Sequence, residues 1–303
     1  MQRKKLLPAK IFTASVWYPI GSFVCALLTM AFVIVFHDTL DSNPDQGECK
    51  VPSIYRNGRN CLAQMLDPGN IEGFSVLWLG FLYVFERDRR KKDSQYAAWR
   101  IIDQAASAKV PTSRARLMAL EDLNRDQVSL KGIDLVKADL EDINLQGAKL
   151  LKADMRQTVL KSANLQRADF TEARLDEADM SLASLNKAVL EVACCEKAKL
   201  VGAELVGARL SEANLDQSDM SGANLTGAFL SRANLSKVDF SGADLTNASF
   251  NEANLEGAKF FDAELKGAKF RHVRHLTPEQ VKEARNWELA SYDDGLSHEL
   301  GLL

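Results

Sequence analysis

The stretch SGADLTNASFNEANLEGAKFFDAELKGAKF, residues 241–270, repeats every five positions. Alanine occupies every fifth residue, and leucine or phenylalanine follows two places later. Neither a strand, with a period of two, nor a helix, with a period of 3.6, has this spacing. Residues two apart in an extended segment point to the same side, so the alanine and the large residue both face inward. The other two residues of each unit then turn the chain.

The same period extends over about half of the chain. From Leu130 to Phe270 every residue number divisible by five is Leu, Phe or Met, except Cys195, and alanine stands two places earlier in 23 of the 29 units. All nine glycines between residues 128 and 270 fall two places after a central residue, where a turn is expected. No proline lies between Pro111 and Pro278, which indicates that backbone N–H groups bond to neighbouring coils.

Units such as ADLTN, ANLDQ, ANLEG and ADFTE resemble the pentapeptide-repeat family. The resemblance implies a right-handed quadrilateral β-helix, an all-β solenoid in which four units form one square coil. About seven coils would stack into a column on the order of 35 Å tall. Five residues are then one side of a coil, which explains the period.

Stacking at 20-residue intervals makes further predictions. Val238, oversized for an alanine position, should share volume with Ser218 directly below it. Two aromatic stacks are expected, Phe250 over Phe270 and Phe240 over Phe260. An external ladder should join Asn214, Asn234 and Asn254.

Capping α-helices are predicted at both ends of the repeat domain, residues 128–273. In the helical linker, residues 93–127, Thr112 or Ser113 can cap a helix that has leucines at 117, 120 and 123 on one face. In the C-terminal cap and tail, residues 274–303, Thr277, Pro278 and Gln280 form a helix-start signal. The residues expected to cover the last coil are Val281, Ala284 and Trp287 or Leu289.

Residues 1–92 predict a transmembrane helical hairpin. Residues 11–36 are 26 consecutive uncharged positions, more than the roughly 20 needed to cross a bilayer. The alternative, a cleaved signal peptide, has a much shorter apolar core. A second apolar run, Gly73–Phe85, is short for a span but could be extended by a helix that starts near Asp67 and Pro68.

Basic residues before the first run and after the second place both flanks, and both termini, in the cytoplasm. The expected location is a bacterial inner membrane or a thylakoid membrane. The loop at about 37–70 would then face the periplasm or the cell exterior, where Cys49 and Cys61 form a disulfide. The alternative is two free thiols in a cytosolic loop with inverted topology. Cys194 and Cys195, in the cytosolic part, are expected to be reduced.

No catalytic motif is recognisable, so the sequence predicts a protein that is not an enzyme and has no cofactor. His272 and His275 in HVRH are the nearest approach to a metal motif, and they lack a cysteine or carboxylate cluster beside them. No metal site is therefore predicted, and function is expected to reside on the surfaces.

The side of the column centred on residues 140, 160, 180 and so on has a net charge of −4, whereas the opposite side, centred on 130, 150 and 170, has +2. The alternative to a functional acidic surface is ordinary solvated charge. The candidate partner-binding residues of this acidic side are Asp139, Glu141, Asp142, Asp179, Asp219, Asp239 and Asp262.

These features favour a membrane-anchored scaffold whose cytosolic column binds protein partners of unknown identity, without nucleic acid. The first alternative is a subunit of a homo-oligomeric membrane assembly, either a pore or a transporter accessory. The second is DNA mimicry against topoisomerases, which some members of the family use, although their columns are more strongly acidic than this one.

Overall fold

The computed structural model describes residues 68–108 and 110–303. Contacts divide the chain into two units, residues 1–92 and 93–303. The first apolar run and both loop cysteines lie outside the described residues, so these predictions stay predictions. The second apolar run lies within helix α1, Pro68–Ser107, between Glu72 and Glu86. No helix in the described ranges is both long enough and apolar enough to span a membrane.

Residues from about 128 to 273 form a column of coils joined by parallel bridges between residues 20 apart, for example Asn144 with Asn164. Each central residue from Leu130 to Leu255 donates its N–H to the coil above, as Leu130 does to the carbonyl of Lys149 at 2.9 Å. Within a coil, the N–H three residues after a centre closes a turn onto that centre's carbonyl, as Ile133 does to Leu130 at 3.2 Å. The predicted solenoid is confirmed, and its backbone groups are paired between coils.

The interior of the column is formed by the predicted residues. The central Leu, Phe, Met and Cys195 side chains are fully buried, and so are the alanines beside them. Burial of this apolar pair in all but two units, which have Thr158 or Ser218 at the alanine position, supplies the driving force for stacking.

The third residue of every turn from residue 132 to residue 272 has a positive φ, between 55° and 70°. Glycine occupies nine of these positions, and the others hold residues such as Val192 and Leu182. From the sequence, the positive φ could be predicted only at the positions that hold glycine. Elsewhere the interior packing imposes a left-handed backbone on residues that disfavour it.

The predicted aromatic stacks and asparagine ladder are confirmed. Phe240 stacks on Phe260 with ring centroids 5.5 Å apart, and Phe250 stacks on Phe270. The asparagine ladder forms through hydrogen bonds between side-chain amides, 2.8 Å from Asn234 Nδ2 to Asn214 Oδ1 and 3.1 Å from Asn254 Nδ2 to Asn234 Oδ1. His275 Nδ1 extends the ladder with a 2.9 Å contact to Asn254 Oδ1. Val238 and Ser218 are both buried, in coils paired through Asp219 and Asp239.

Helix α2, Arg114–Arg125, covers the N-terminal end of the column. Of the two predicted N-cap residues, Ser113 is the one that caps, since its side chain accepts from the Arg116 N–H. Leu120 and Leu123 are buried as predicted. Thr112 instead pairs with Asp139 of the first coil. Upstream, Ile102 of α1 is 1% exposed and belongs to the same core.

The C-terminal segment is a more elaborate cap than one helix and a tail. Strand β1, Lys269–Phe270, pairs in parallel with strand β2, Ser291–Tyr292. Around β2 lie helix α3, Pro278–Lys282, the 3₁₀ helix Trp287–Leu289 and helix α4, Asp294–Leu300.

The predicted capping box at Thr277 is present, and the Gln280 amide also donates to the carbonyls of Leu255 and Ala258 in the last coil. Of the two residues offered for the cover, Trp287 packs on the core, whereas Leu289 is 57% exposed.

Candidate functional site

The outward residues of the acidic side lie in one register. Parallel bridges connect the residues 139, 159, 179, 199, 219, 239 and 259, so Asp139, Asp179, Asp219 and Asp239 share a single column of side chains. Adjacent coils are about 4.8 Å apart. Asp219 and Asp239 are in adjacent coils, whereas Asp139 and Asp179, and likewise Asp179 and Asp219, are two coils apart. Lys199 and Lys259 occupy the same column.

One carboxylate oxygen of each aspartate in this column accepts a hydrogen bond from the turn that follows it. Oδ1 accepts from the backbone N–H two residues later, at 3.3 Å in Asp139 and at 3.0 Å in Asp179, Asp219 and Asp239. Such local bonds are typical of Asp and Asn in turns. Half of each carboxylate is therefore structural, and Oδ2 is the atom left for other partners.

The Oδ2 atoms at the two ends of the column are already used. Thr112 donates to Asp139 Oδ2 at 3.2 Å, and Lys259 Nζ lies 3.2 Å from Asp239 Oδ2. Burial acts to raise the pKa of Asp239, but hydrogen bonds from Ser241 and Lys259 outweigh it, and the pKa lies below its usual range. For Asp179 and Asp219 the described residues supply no hydrogen bond to Oδ2. The middle of the column is thus its available part.

The other three candidates lie at the turns beside this column. Glu141 and Asp142 are exposed near the N-terminal end, and Asp142 has a φ of 60°. Asp262 is at the other end, where Arg285 of the cap forms an ion pair with its Oδ1 at 3.1 Å. The seven predicted residues lie on one side, but they do not form a continuous acidic strip.

Exposed apolar side chains on the same side were not anticipated. Leu182 is 59% exposed, Val201 37% and Phe261 66%. The Leu182 side chain covers Gly202, where an added Cβ would lie 2.9 Å from Leu182 Cδ2. The sequence did contain a sign of these residues, because each is a large apolar residue at a turn position, where the repeat does not require one. Leu182 and Val201 lie in the same coils as Asp179 and Lys199, and with Asp219 in the next coil they form a surface suited to a partner with both basic and apolar groups.

The other sequence candidates are not brought together. His272 faces Asp293, with Nδ1 3.8 Å from Oδ2, whereas His275 contacts Asn254. No group of three or more His, Cys, Asp or Glu side chains able to hold a metal occurs in the part of the chain that is described. Cys194 and Cys195 are free thiols, and burial raises the pKa of both.

The similarity of this chain to a known family lies in the repeat domain. The family model for pentapeptide repeats matches in eight copies, over residues 126–161, 163–203, 203–242 and 239–274. No curated protein sequence matches the chain at a significant level.

Solved structures of similar proteins include HetL, a pentapeptide repeat protein involved in heterocyst differentiation regulation in Nostoc sp. strain PCC 7120. It is 30% identical over 55% of this chain and 88% of its own, with a TM-score of 0.36. A pentapeptide repeat protein of the Arabidopsis thaliana thylakoid lumen is 30% identical over 34% of this chain and 68% of its own, with a TM-score of 0.28. QnrB1, a plasmid-mediated fluoroquinolone resistance protein, is 18% identical over 56% of this chain and 89% of its own, with a TM-score of 0.42.

Proposed function

The chain belongs to the pentapeptide-repeat family, and from this premise we propose that it is a non-catalytic, membrane-anchored platform whose column binds other proteins. The proposal is supported by the side chains in the middle of the acidic side. There Asp179 and Asp219 keep an unbonded Oδ2 on either side of Lys199, next to the exposed Leu182 and Val201.

A rigid column suits recognition because its side chains are held in register before a partner arrives. The backbone of each coil is bonded to the coils above and below, so little backbone order has to be gained on binding. Carboxylates two coils apart, with apolar side chains beside them, fit a partner segment that has Lys or Arg and an apolar contact. Long-range attraction would speed association, and the apolar contact would slow dissociation.

DNA mimicry finds less support in the same column. Lys199 and Lys259 interrupt the acidic register, and Arg285 neutralises Asp262. Duplex DNA has a continuous line of negative charge. A surface of mixed charge is a poor imitation of it.

The structure suggests a substitution that tests the acidic side without disturbing the fold. Asparagine retains the Oδ1 that accepts the turn N–H and removes the charge, and it already does so at Asn214 and Asn224. The test variant is therefore Asp179→Asn/Asp219→Asn/Asp239→Asn. The matched control is Asp134→Asn/Asp169→Asn/Asp244→Asn, in which the same turn bond is made on the other three sides of the column.

The experiment is crosslinked affinity purification of the full chain from its native membranes, followed by mass spectrometry. The expected result is a partner recovered with the wild type and the control variant but lost with the acidic-side variant. Equal recovery from all three would reject the acidic side as the binding surface. Recovery of the protein crosslinked only to itself would replace the platform by a homo-oligomeric membrane assembly, whose mass in detergent would be several times 33.5 kDa.

The membrane anchor in this proposal rests on the 26 uncharged residues 11–36. A cytoplasmic location of both termini further requires that the run Gly73–Phe85 also crosses. A membrane-impermeant maleimide applied to intact cells tests the loop. Labelling of Cys49 and Cys61 only after reduction supports an external, disulfide-bonded loop, whereas labelling only after lysis places the loop inside.

A further inference from the structure

The last coil and the C-terminal cap enclose a cleft of about 310 Å³ on the side opposite the acidic side. Its floor is the last coil near strand β1, and its wall is the segment that leads into strand β2. The lining residues are Asn251, Gly267, Lys269, Arg271, Leu289, Ala290 and Ser291. Its volume is at the lower limit of the range for small-ligand pockets, and it suits one or two side chains of a peptide.

The wall of the cleft is fixed by backbone hydrogen bonds. Gly267 N–H donates to the Leu289 carbonyl at 3.0 Å, and Ser291 N–H donates to the Ala268 carbonyl at 2.8 Å. Gly267 has a φ of 70°, and a Cβ there would lie 2.4 Å from Asn247 Oδ1, so a larger residue would displace the Asn247 side chain. The cleft is therefore formed before any ligand binds.

Two cations in this cleft lack a counter-charge. Lys269 and Arg271 are both exposed, and neither has an ion-pair partner within 4.0 Å among the described residues. Arg232, on the same part of the column, differs, because it pairs with Glu252 at 2.9 Å.

Two acidic residues next to Arg271 in the structure are engaged elsewhere. The Glu252 N–H donates to the Arg271 carbonyl, but its carboxylate binds Arg232, and Asp293 Oδ2 accepts from the His272 N–H at 2.6 Å. The cleft thus concentrates unneutralised positive charge.

The remaining lining groups add hydrogen bonding and an apolar edge. Asn251 uses its Oδ1 to accept from the Arg271 N–H at 3.2 Å, which leaves its amide N–H groups for a ligand. The Ser291 hydroxyl has no hydrogen bond within the described residues. Leu289, 57% exposed, forms the edge of the cleft.

We propose that this cleft binds an acidic peptide segment of a partner protein, with a carboxylate between Lys269 and Arg271 and a neighbouring apolar side chain on Leu289. The inference rests on the proposed platform function and assigns it a second, chemically opposite surface. A peptide is favoured over a bare phosphate because phosphate would use the cations and leave Leu289 uncovered. Guanidinium and ammonium groups together suit a carboxylate held partly out of water.

The test is fluorescence anisotropy of a labelled peptide of alternating Glu and Leu, titrated with the full chain in detergent. A peptide of alternating Gln and Leu is the control ligand. The test variant is Lys269→Gln/Arg271→Gln, and its matched control is Lys131→Gln/Lys149→Gln, two exposed lysines on the same side at the other end of the column.

We expect saturable binding of the acidic peptide that weakens about tenfold in the cleft variant and is unchanged in the control variant. Leu289→Ala should weaken binding by about threefold. Equal weakening in both double variants would overturn the proposal, because it would show attraction by the whole side. Binding of inorganic phosphate without binding of the peptide would also overturn it.

The same variants separate this inference from the platform proposal. If the cleft variant still recovers every partner that the wild type recovers from membranes, and also binds the peptide normally, the cleft proposal fails and the platform remains. If no partner is recovered with any form of the protein but the peptide binding is specific, the cleft proposal survives and the platform proposal fails.

Discussion

Phe250 lies flat on Phe270, with ring centroids 4.8 Å apart and planes 5° from parallel, and Tyr292 of the cap stacks on Phe270 in turn at 5.5 Å. The aromatic stack therefore continues from the coils into strand β2. Phe240 and Phe260 form a parallel stack that meets the first edge-on, as in the 84° contact between Phe240 and Phe250. Edge-to-face and offset contacts of this kind add to the area that the rings bury.

Removing the ring of Phe250 should therefore destabilise the C-terminal coils and the cap together. Phe250→Ala is expected to cost about 3–5 kcal/mol through the cavity it leaves. Phe250→Leu, which places the commonest central residue of this column at the site, should cost under about 1.5 kcal/mol. The midpoint of urea unfolding measures both, and equal losses would contradict a packing origin.

Two buried hydroxyls should respond to alanine in opposite directions. Thr158 Oγ1 donates to the Met155 carbonyl at 2.7 Å and lies 3.0 Å from that of Leu135, whereas the buried Ser218 Oγ has no hydrogen-bond partner in the described part of the chain. Thr158→Ala should lower the free energy of unfolding by roughly 1–2 kcal/mol, and Ser218→Ala should raise it by roughly 1 kcal/mol. Urea denaturation decides, and a loss of stability in Ser218→Ala would be contrary to expectation.

Replacing Val192 with glycine should stabilise the protein. Val192 has a φ of 58° and is 49% exposed, so a β-branched side chain holds a left-handed backbone with little burial in return. The strain costs about 1–2 kcal/mol, while glycine loses about 0.5–1 kcal/mol of chain entropy on folding. Val192→Gly should raise the melting temperature, and Val192→Ala, which keeps a Cβ, should raise it less. A lower melting temperature for Val192→Gly would show that the valine packs usefully.

Acid stability should depend on Asp154. The bidentate hydrogen bond from Arg156, with both contacts at 2.7 Å, holds the pKa of this carboxyl below its usual value of about 4. A carboxyl with a lowered pKa in the folded state contributes stability that is present above its unfolded pKa and lost as pH falls through its folded pKa.

The difference in melting temperature between the wild type and Asp154→Asn should therefore shrink below about pH 4. Asp134→Asn is the control, because Asp134 lies one coil below and has no ion pair among the described residues. A difference that stays constant from pH 7 to pH 3 would argue against the role of the Arg156 pair.

Much of the candidate site could be read from the sequence because a 20-residue coil makes lateral neighbours predictable. The register of Asp179, Asp219 and Asp239 follows from their numbers alone. The sequence could not show that Oδ1 of each is used by the following turn, or that Arg285 reaches Asp262, since those contacts depend on turn geometry and on the path of the cap.

The sequence by itself determined the solenoid, the side chains of its interior, the two aromatic stacks and the asparagine ladder. It could do so because each unit repeats the same local requirement, an apolar pair inside and a turn outside, and identical units can only stack in register. Only the tertiary structure decided which surface charges are neutralised and where a concave site forms. The cleft exists because strand β2 returns to pair with β1. Lys269 and Arg271 have no ion pair among the described residues, and the neighbouring Glu252 and Asp293 bind other groups. These outcomes depend on contacts between the repeat and a segment that lacks its period.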